Sequence, residues 1–84
     1  MKKKIAILGS TGSIGKSVLQ LTNIASFEII LLSSNKNYKK LLQQAKNFKV
    51  KNIIINDYLS YQKSLLKNKD KNIIIHNSFD AFDK

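Results

Sequence analysis

The 84-residue sequence predicts an α/β domain on a parallel sheet, and three observations carry that prediction. Four short apolar runs recur at a pitch of roughly 20–25 residues, the spacing of βαβ units with right-handed crossovers. The runs are solidly apolar rather than alternating, as in strands covered on both faces. Between them, apolar residues recur at helical spacing.

Lys4-Ile5-Ala6-Ile7-Leu8 reads as the first strand. It stops at the Gly and hydroxyl cluster from Gly9 to Gly15, after which Ile14, Val18, Leu21 and Ile24 mark a helix from about Ser13. Phe27-Glu28-Ile29-Ile30-Leu31-Leu32 is the second strand, closed by the polar turn Ser33-Ser34-Asn35-Lys36-Asn37. Tyr38, Leu41, Leu42, Ala45 and Phe48 form the i, i+3, i+4, i+7 stripe of a second helix. Lys51-Asn52-Ile53-Ile54-Ile55 is strand three, Leu59, Gln62, Leu65 and Leu66 mark a weaker third helix, and Lys71-Asn72-Ile73-Ile74-Ile75 is strand four. Phe79 and Phe82 suit the start of another helix. The order of elements is somewhat more than half of a doubly wound, Rossmann-like nucleotide-binding fold, with no linker or domain boundary between residues 1 and 84.

Composition excludes several functions. No apolar run approaches the roughly 20 residues of a membrane span. The N-terminal run is also too short for a secretory signal, which needs about 7–15 apolar residues. The sequence holds no Cys, which removes disulfides and thiolate chemistry and suits a cytoplasmic protein. The net charge is +10, from fifteen Lys, no Arg and five acids. Such an excess can mark a nucleic-acid binder, yet Arg, the residue of bidentate base contacts, is absent. The lysines are spread along the chain, so a basic solvated surface explains them better than a nucleic-acid partner.

The chemistry lies in the first turn. All three glycines of the chain fall in Gly9-Ser10-Thr11-Gly12-Ser13-Ile14-Gly15, between strand and helix. There the first glycine turns the chain off the strand. The second lets backbone approach a pyrophosphate, and the third lets the helix pack against the sheet. The N–H groups and positive dipole end of the helix suit an anion, and Thr11 and Ser13 add hydroxyls. NAD-preferring sites carry an acid about 20 residues on, whereas Ser33–Asn37 has none. Lys36, with its serine and asparagine neighbours, suits a 2′-phosphate instead, which selects NADPH. One competing motif overlaps. Ser10 to Ser17 matches the phosphate loop G-x-x-x-x-G-K-[ST] except at its first position. That reading leaves the Gly9/Gly12/Gly15 rhythm unexplained.

The stretch Ile5 to Gly15 resembles the opening of the 1-deoxy-D-xylulose 5-phosphate reductoisomerase family, in which an unbroken Gly-Ser-Thr-Gly-Ser-Ile-Gly is rather specific. Ser33 to Asn37 resembles that family's second NADPH loop, and Leu41 to Phe48 the helix after it. The resemblance implies that Gly9, Thr11, Gly12, Ser13, Ile14 and Gly15 form the pyrophosphate side of an NADPH site. It puts Asn35, Lys36 and Asn37 near the 2′-phosphate and ribose. It also implies reduction of a sugar phosphate to 2-C-methyl-D-erythritol 4-phosphate in non-mevalonate isoprenoid synthesis, a homodimer, and a divalent metal (Mg or Mn) in the full-length family. Residues 1–84 correspond to the N-terminal part of the NADPH-binding domain. The catalytic and metal-binding residues and the C-terminal domain of the family lie beyond it. Three positions depart from the family: Asn35 stands where many members have Gly, Val50 where Pro is usual, and Asn77 where Gly is common. Another NADP-dependent reductase with the same glycine spacing, such as a semialdehyde dehydrogenase, is the nearest enzymatic alternative.

No catalytic constellation is visible in the chain itself. The five acids are scattered, without the spacing to share a metal or a proton. His76 reads as a polar strand-end residue, and Tyr38, Tyr58 and Tyr61 as packing or surface residues.

Overall fold

A computed structural model describes residues 3–22 and 27–79, without the side chains of Ile14, Leu21 and Thr22. Strands and helices alternate in the expected order: β1 (Lys3–Ile7), α1 (Ser13–Thr22), β2 (Phe27–Ser34), α2 (Tyr38–Phe48), β3 (Asn52–Ile55), α3 (Tyr58–Lys67) and β4 (Ile74–His76). All strand pairs are parallel, and the sheet order is β1-β2-β3-β4. Right-handed crossovers that step in one direction put their helices on one face of the sheet. The core shows this directly. Across the register row Ile7, Leu32, Ile53 and Ile75, strand residues pack with Leu19 of α1, Leu41 and Ala45 of α2, and Tyr61 of α3.

Coverage of the other face differs from the sequence expectation. Leu31 and Ile54 are buried without joining that cluster, while Ile30 and Ile74 are exposed. Among the described residues, cover on that face is therefore uneven: nearly complete over Leu31 and Ile54, and incomplete over Ile30 and Ile74.

Four local features also depart from the reading of the sequence. β2 runs on through Ser33 and Ser34, both buried, instead of ending at Leu32. The parallel pairing shifts between Ile5 and Ala6, so that Ile5 pairs with Ile29 but Ala6 with Leu31. Residue 30 is the extra one, a β-bulge. α3 turns the opposite face inward: Leu59 and Leu66 are 69% and 85% exposed, whereas Ser60 and Ser64 are buried. Those serines fit because their hydroxyls are satisfied locally, Ser60 by Asp57 Oδ2 at 2.8 Å and Ser64 by the Tyr61 carbonyl at 2.6 Å. β4 begins at Ile74, after the Asp70–Ile73 turn. Phe79, the last described residue, is in 3-10 conformation. Ile24 and Phe82 lie outside the described residues.

The three departures from the family pattern have local explanations. Asn35 stays outside the left-handed region, which among described non-glycine residues only Lys49 enters, so an asparagine there carries no backbone strain. Lys49 ends α2, and the Val50 N–H donates to the Ala45 carbonyl at 2.9 Å, a bond that proline cannot make. Asn77 Nδ2 donates to the carbonyls of Ile55 and Asn56 at 2.9 and 3.2 Å, fastening the end of β4 to β3.

Candidate functional site

Because the strands are parallel, their carboxyl ends share one edge, where such sheets bind ligands. The glycine turn leaves β1 at that edge. Gly9 has φ +67°, a conformation that costs glycine nothing and other residues strain. A Cβ on Gly15 would collide with the Gly9 carbonyl oxygen and stand 2.5 Å from Ser10 Cα, so α1 closes onto the turn only with glycine there. Gly12 differs. A Cβ on it would meet only the Gly9 oxygen, at an ordinary 3.5 Å, and the residue is exposed, as is Ser13. The turn thus has a closed side, at Gly15, and an open side, at Gly12 and Ser13.

Part of the turn's hydrogen bonding is internal. Gly12 N–H donates to the Gly9 carbonyl at 3.1 Å, and Lys16 N–H to the Gly12 carbonyl at 2.9 Å. By helix geometry, the first N–H groups of α1, around Ser13 to Gly15, have no intrahelical acceptor. α1 carries no acid in its first turn to oppose an anion there. The Ile14 backbone belongs to this turn, and its side chain is not described.

The second predicted segment is brought to the first by the end of β2. Gly9 N–H donates to Ser33 Oγ at 3.1 Å and Ser10 N–H to the Ser33 carbonyl at 2.9 Å, while the hydroxyls of Thr11 and Ser34 lie 2.9 Å apart. Ser33 and Ser34 therefore fasten strand to turn instead of lining an open loop. Asn35, Lys36 and Asn37 follow immediately, all exposed. Asn37 stands at the N-cap of α2, yet its side chain makes no capping hydrogen bond.

Two neighbours of this loop were not legible as such. β3 runs past it, with Asn56 N–H on the Ser34 carbonyl at 3.1 Å and Asp57 N–H on the Asn35 carbonyl at 3.0 Å. This brings the Asp57 carboxylate within the electrostatic reach of Lys36. The acid is already engaged: it caps α3, accepting from Ser60 N–H at 3.0 Å and Ser60 Oγ at 2.8 Å. Those two bonds, hydroxyl first, hold it below the usual carboxylate range, helped by Lys36 and Lys63. The second neighbour is Lys40. Lys16, whose ammonium can donate to the neutral Lys40 amine but not to its charged form, holds it below the usual lysine range, followed by burial and the Lys16 charge.

Elsewhere the chemistry is sparse. His76 Nε2 lies 3.2 Å from Asn52 Oδ1, within the sheet. No group of three His, Cys, Asp or Glu among the described residues is arranged to hold a metal ion. No described helix is long and apolar enough to cross a membrane. An open cleft of about 610 Å³ between α2, α3 and the approach to β4 is lined by Leu42, Lys46, Lys67 and Ile73 among others, and by none of the predicted site residues.

Comparison with known proteins matches this geometry to one family. A family model described as 1-deoxy-D-xylulose 5-phosphate reductoisomerase matches residues 5–82. The enzyme of that name from Pelagibacter ubique is 48% identical over 98% of this chain and 22% of its own length. That from Porphyromonas gingivalis is 42% identical over 66% of this chain and 15% of its own. Among solved structures, the 1-deoxy-D-xylulose 5-phosphate reductoisomerase of Zymomonas mobilis in complex with NADPH superposes with a TM-score of 0.85 at 30% identity, covering 96% of this chain and 22% of that one. The chain thus spans about a fifth of the length of these relatives. Such membership accounts for the Gly9/Gly12/Gly15 rhythm that the phosphate-loop reading left unexplained. With a family match across nearly the whole sequence and this fold beneath it, the chain belongs to the 1-deoxy-D-xylulose 5-phosphate reductoisomerase family.

Proposed function

We propose that residues 1–84 form the N-terminal part of an NADPH-binding domain. Gly9, Thr11, Gly12, Ser13, Ile14 and Gly15 receive the pyrophosphate, and Asn35, Lys36 and Asn37 the 2′-phosphate and ribose. The observation that carries this reading is the union of two segments at one sheet edge: a turn open at Gly12 beside a loop headed by Lys36 and free of acids. The backbone at Gly12 fits a pyrophosphate because nothing but the Gly9 oxygen lies within 4 Å of where a side chain would stand. Lys36 supplies the cation that a 2′-phosphate needs and a 2′-hydroxyl does not. Asp57 stands outside the loop and its Oδ2 caps α3, accepting from Ser60 N–H and Oγ.

The bound cofactor supplies a hydride, and the whole protein uses it on a rearranged sugar phosphate, giving 2-C-methyl-D-erythritol 4-phosphate. The divalent metal and the substrate are held by residues outside these 84, in a cytoplasmic homodimer. By itself this stretch binds without turnover.

Thermal melting with each cofactor tests the binding. NADPH at a hundred times its dissociation constant raises stability by about 2.7 kcal/mol, and NADH at the same concentration by clearly less. Equal responses to the two would refute the 2′-phosphate assignment. No response to either would refute the site.

A further inference from the structure

Ser10 belongs to the glycine turn yet is fully buried, as is most of Gln44, which reaches it from the middle of α2. The two make a reciprocal pair: Ser10 Oγ donates to Gln44 Oε1 at 2.8 Å, and Gln44 Nε2 donates to the Ser10 carbonyl at 3.0 Å. Ser10 is held from a third side by the Ser33 carbonyl, which accepts its N–H at 2.9 Å. A carboxamide is the side chain that offers a donor and an acceptor together. Burial makes each bond costly to lose, because the orphaned partner stays away from water. No buried side-chain N or O among the described residues lacks a partner, and the Ser33 carbonyl, 3.5 Å from Ser10 Oγ, is a longer second acceptor for that hydroxyl.

We propose that Gln44 is a positioning residue for the dinucleotide: it locks the glycine turn to α2, so that the turn and the loop that opens α2 form one rigid frame. This rests on the NADPH reading above and adds a residue that touches neither phosphate. Each half of the cofactor has its own anchor, Gly12 to Gly15 for the pyrophosphate and Asn35 to Asn37 for the 2′-phosphate. A ligand that spans both gains affinity only if their separation is fixed before it binds. The β2 bonds fix one side of the turn, and Gln44 is the tie from the helix layer. A ligand confined to the loop does not depend on that tie.

The test compares NADPH with adenosine 2′-phosphate, which occupies the loop alone, on the 84-residue chain and its Gln44→Leu, Ser10→Ala and doubly substituted forms. Gln44→Leu weakens NADPH about tenfold in the folded fraction and leaves adenosine 2′-phosphate within about twofold of wild type. Exchange of the Ser10 amide with solvent speeds up in the same variant without any ligand. Ser10→Ala loses one of the two bonds and falls between, and the double variant is no weaker than Gln44→Leu. If Gln44→Leu does not fold, Ser10→Ala carries the same comparison. Unchanged NADPH affinity in the folded variants overturns the proposal, as does an equal loss for both ligands, which would mark general damage. A wild-type chain that binds neither ligand removes the NADPH reading itself, and this inference with it.

Discussion

Gly15 lies against the backbone of Ser10 so closely that a Cβ on the glycine would stand 2.5 Å from Ser10 Cα and 2.8 Å from its carbonyl carbon. Both neighbours are main chain, and Ser10 is pinned by Ser33 and Gln44, so neither can yield. Gly15→Ala therefore costs about 3 kcal/mol or more, read as a lower urea midpoint.

Gly12 predicts the opposite outcome. Its Cβ position is open apart from one ordinary contact, so Gly12→Val keeps the fold within about 1 kcal/mol of wild type. The added side chain occupies the space proposed for the pyrophosphate, and NADPH affinity falls about tenfold or more. Titration of NADPH alongside a urea melt separates the two effects.

Lys36→Glu puts an acid beside Asn35 and Asn37, where NAD-preferring sites carry one. NADPH weakens by about tenfold, while NADH holds or improves. A variant that loses both cofactors equally would show that Lys36 does not read the 2′-phosphate.

Asp57 contributes to the acid limb of stability. Its folded pKa is lowered by the Ser60 hydroxyl and N–H, so its stabilisation is complete above its unfolded value. It is lost as pH falls below about 4, through the folded value. Asp57→Ala lowers the melting midpoint at pH 7 by several degrees. It also flattens the decline on the acid side, which melts from pH 6 to pH 2 record.

Lys40 acts on the alkaline side with the other sign. Its folded pKa is lowered by Lys16, so just below the usual lysine value the unfolded chain holds more protons, and stability rises with pH. Lys16→Gln removes that charged neighbour and flattens the rise on the acid side of the ordinary lysine value, 10.5.

What the sequence made legible was local. A left-handed bend at Gly9, helix periodicity in Tyr38 to Phe48 and β-prone isoleucine runs each follow from neighbouring residues. Long-range polar bonds left no such trace. Ser33 and Ser34 looked like a loop because serine disfavours strands, and only their bonds to Gly9, Ser10 and Thr11 keep them in one. Gln44 looked like one more polar residue in a helix, and its partner is 34 positions away. α3 misled in another way. Its leucines promised a buried stripe, whereas the packed side is built from small serines whose hydroxyls bond locally. Asp57 stood 20 or so positions from the loop in sequence, and only parallel pairing of β2 with β3 brought it there.

The bulge in β2 makes the strand a ruler. Ile29 and Leu32 both face the helices although three positions separate them, which residue 30 alone permits. Excising Ile30 would draw Ser33 and Ser34 back by one residue rise, about 3.3 Å, and swap the faces of all that precedes or follows. The serines would then miss Gly9 and Thr11. One unpaired isoleucine thereby sets the phase between a sheet edge and its first bend.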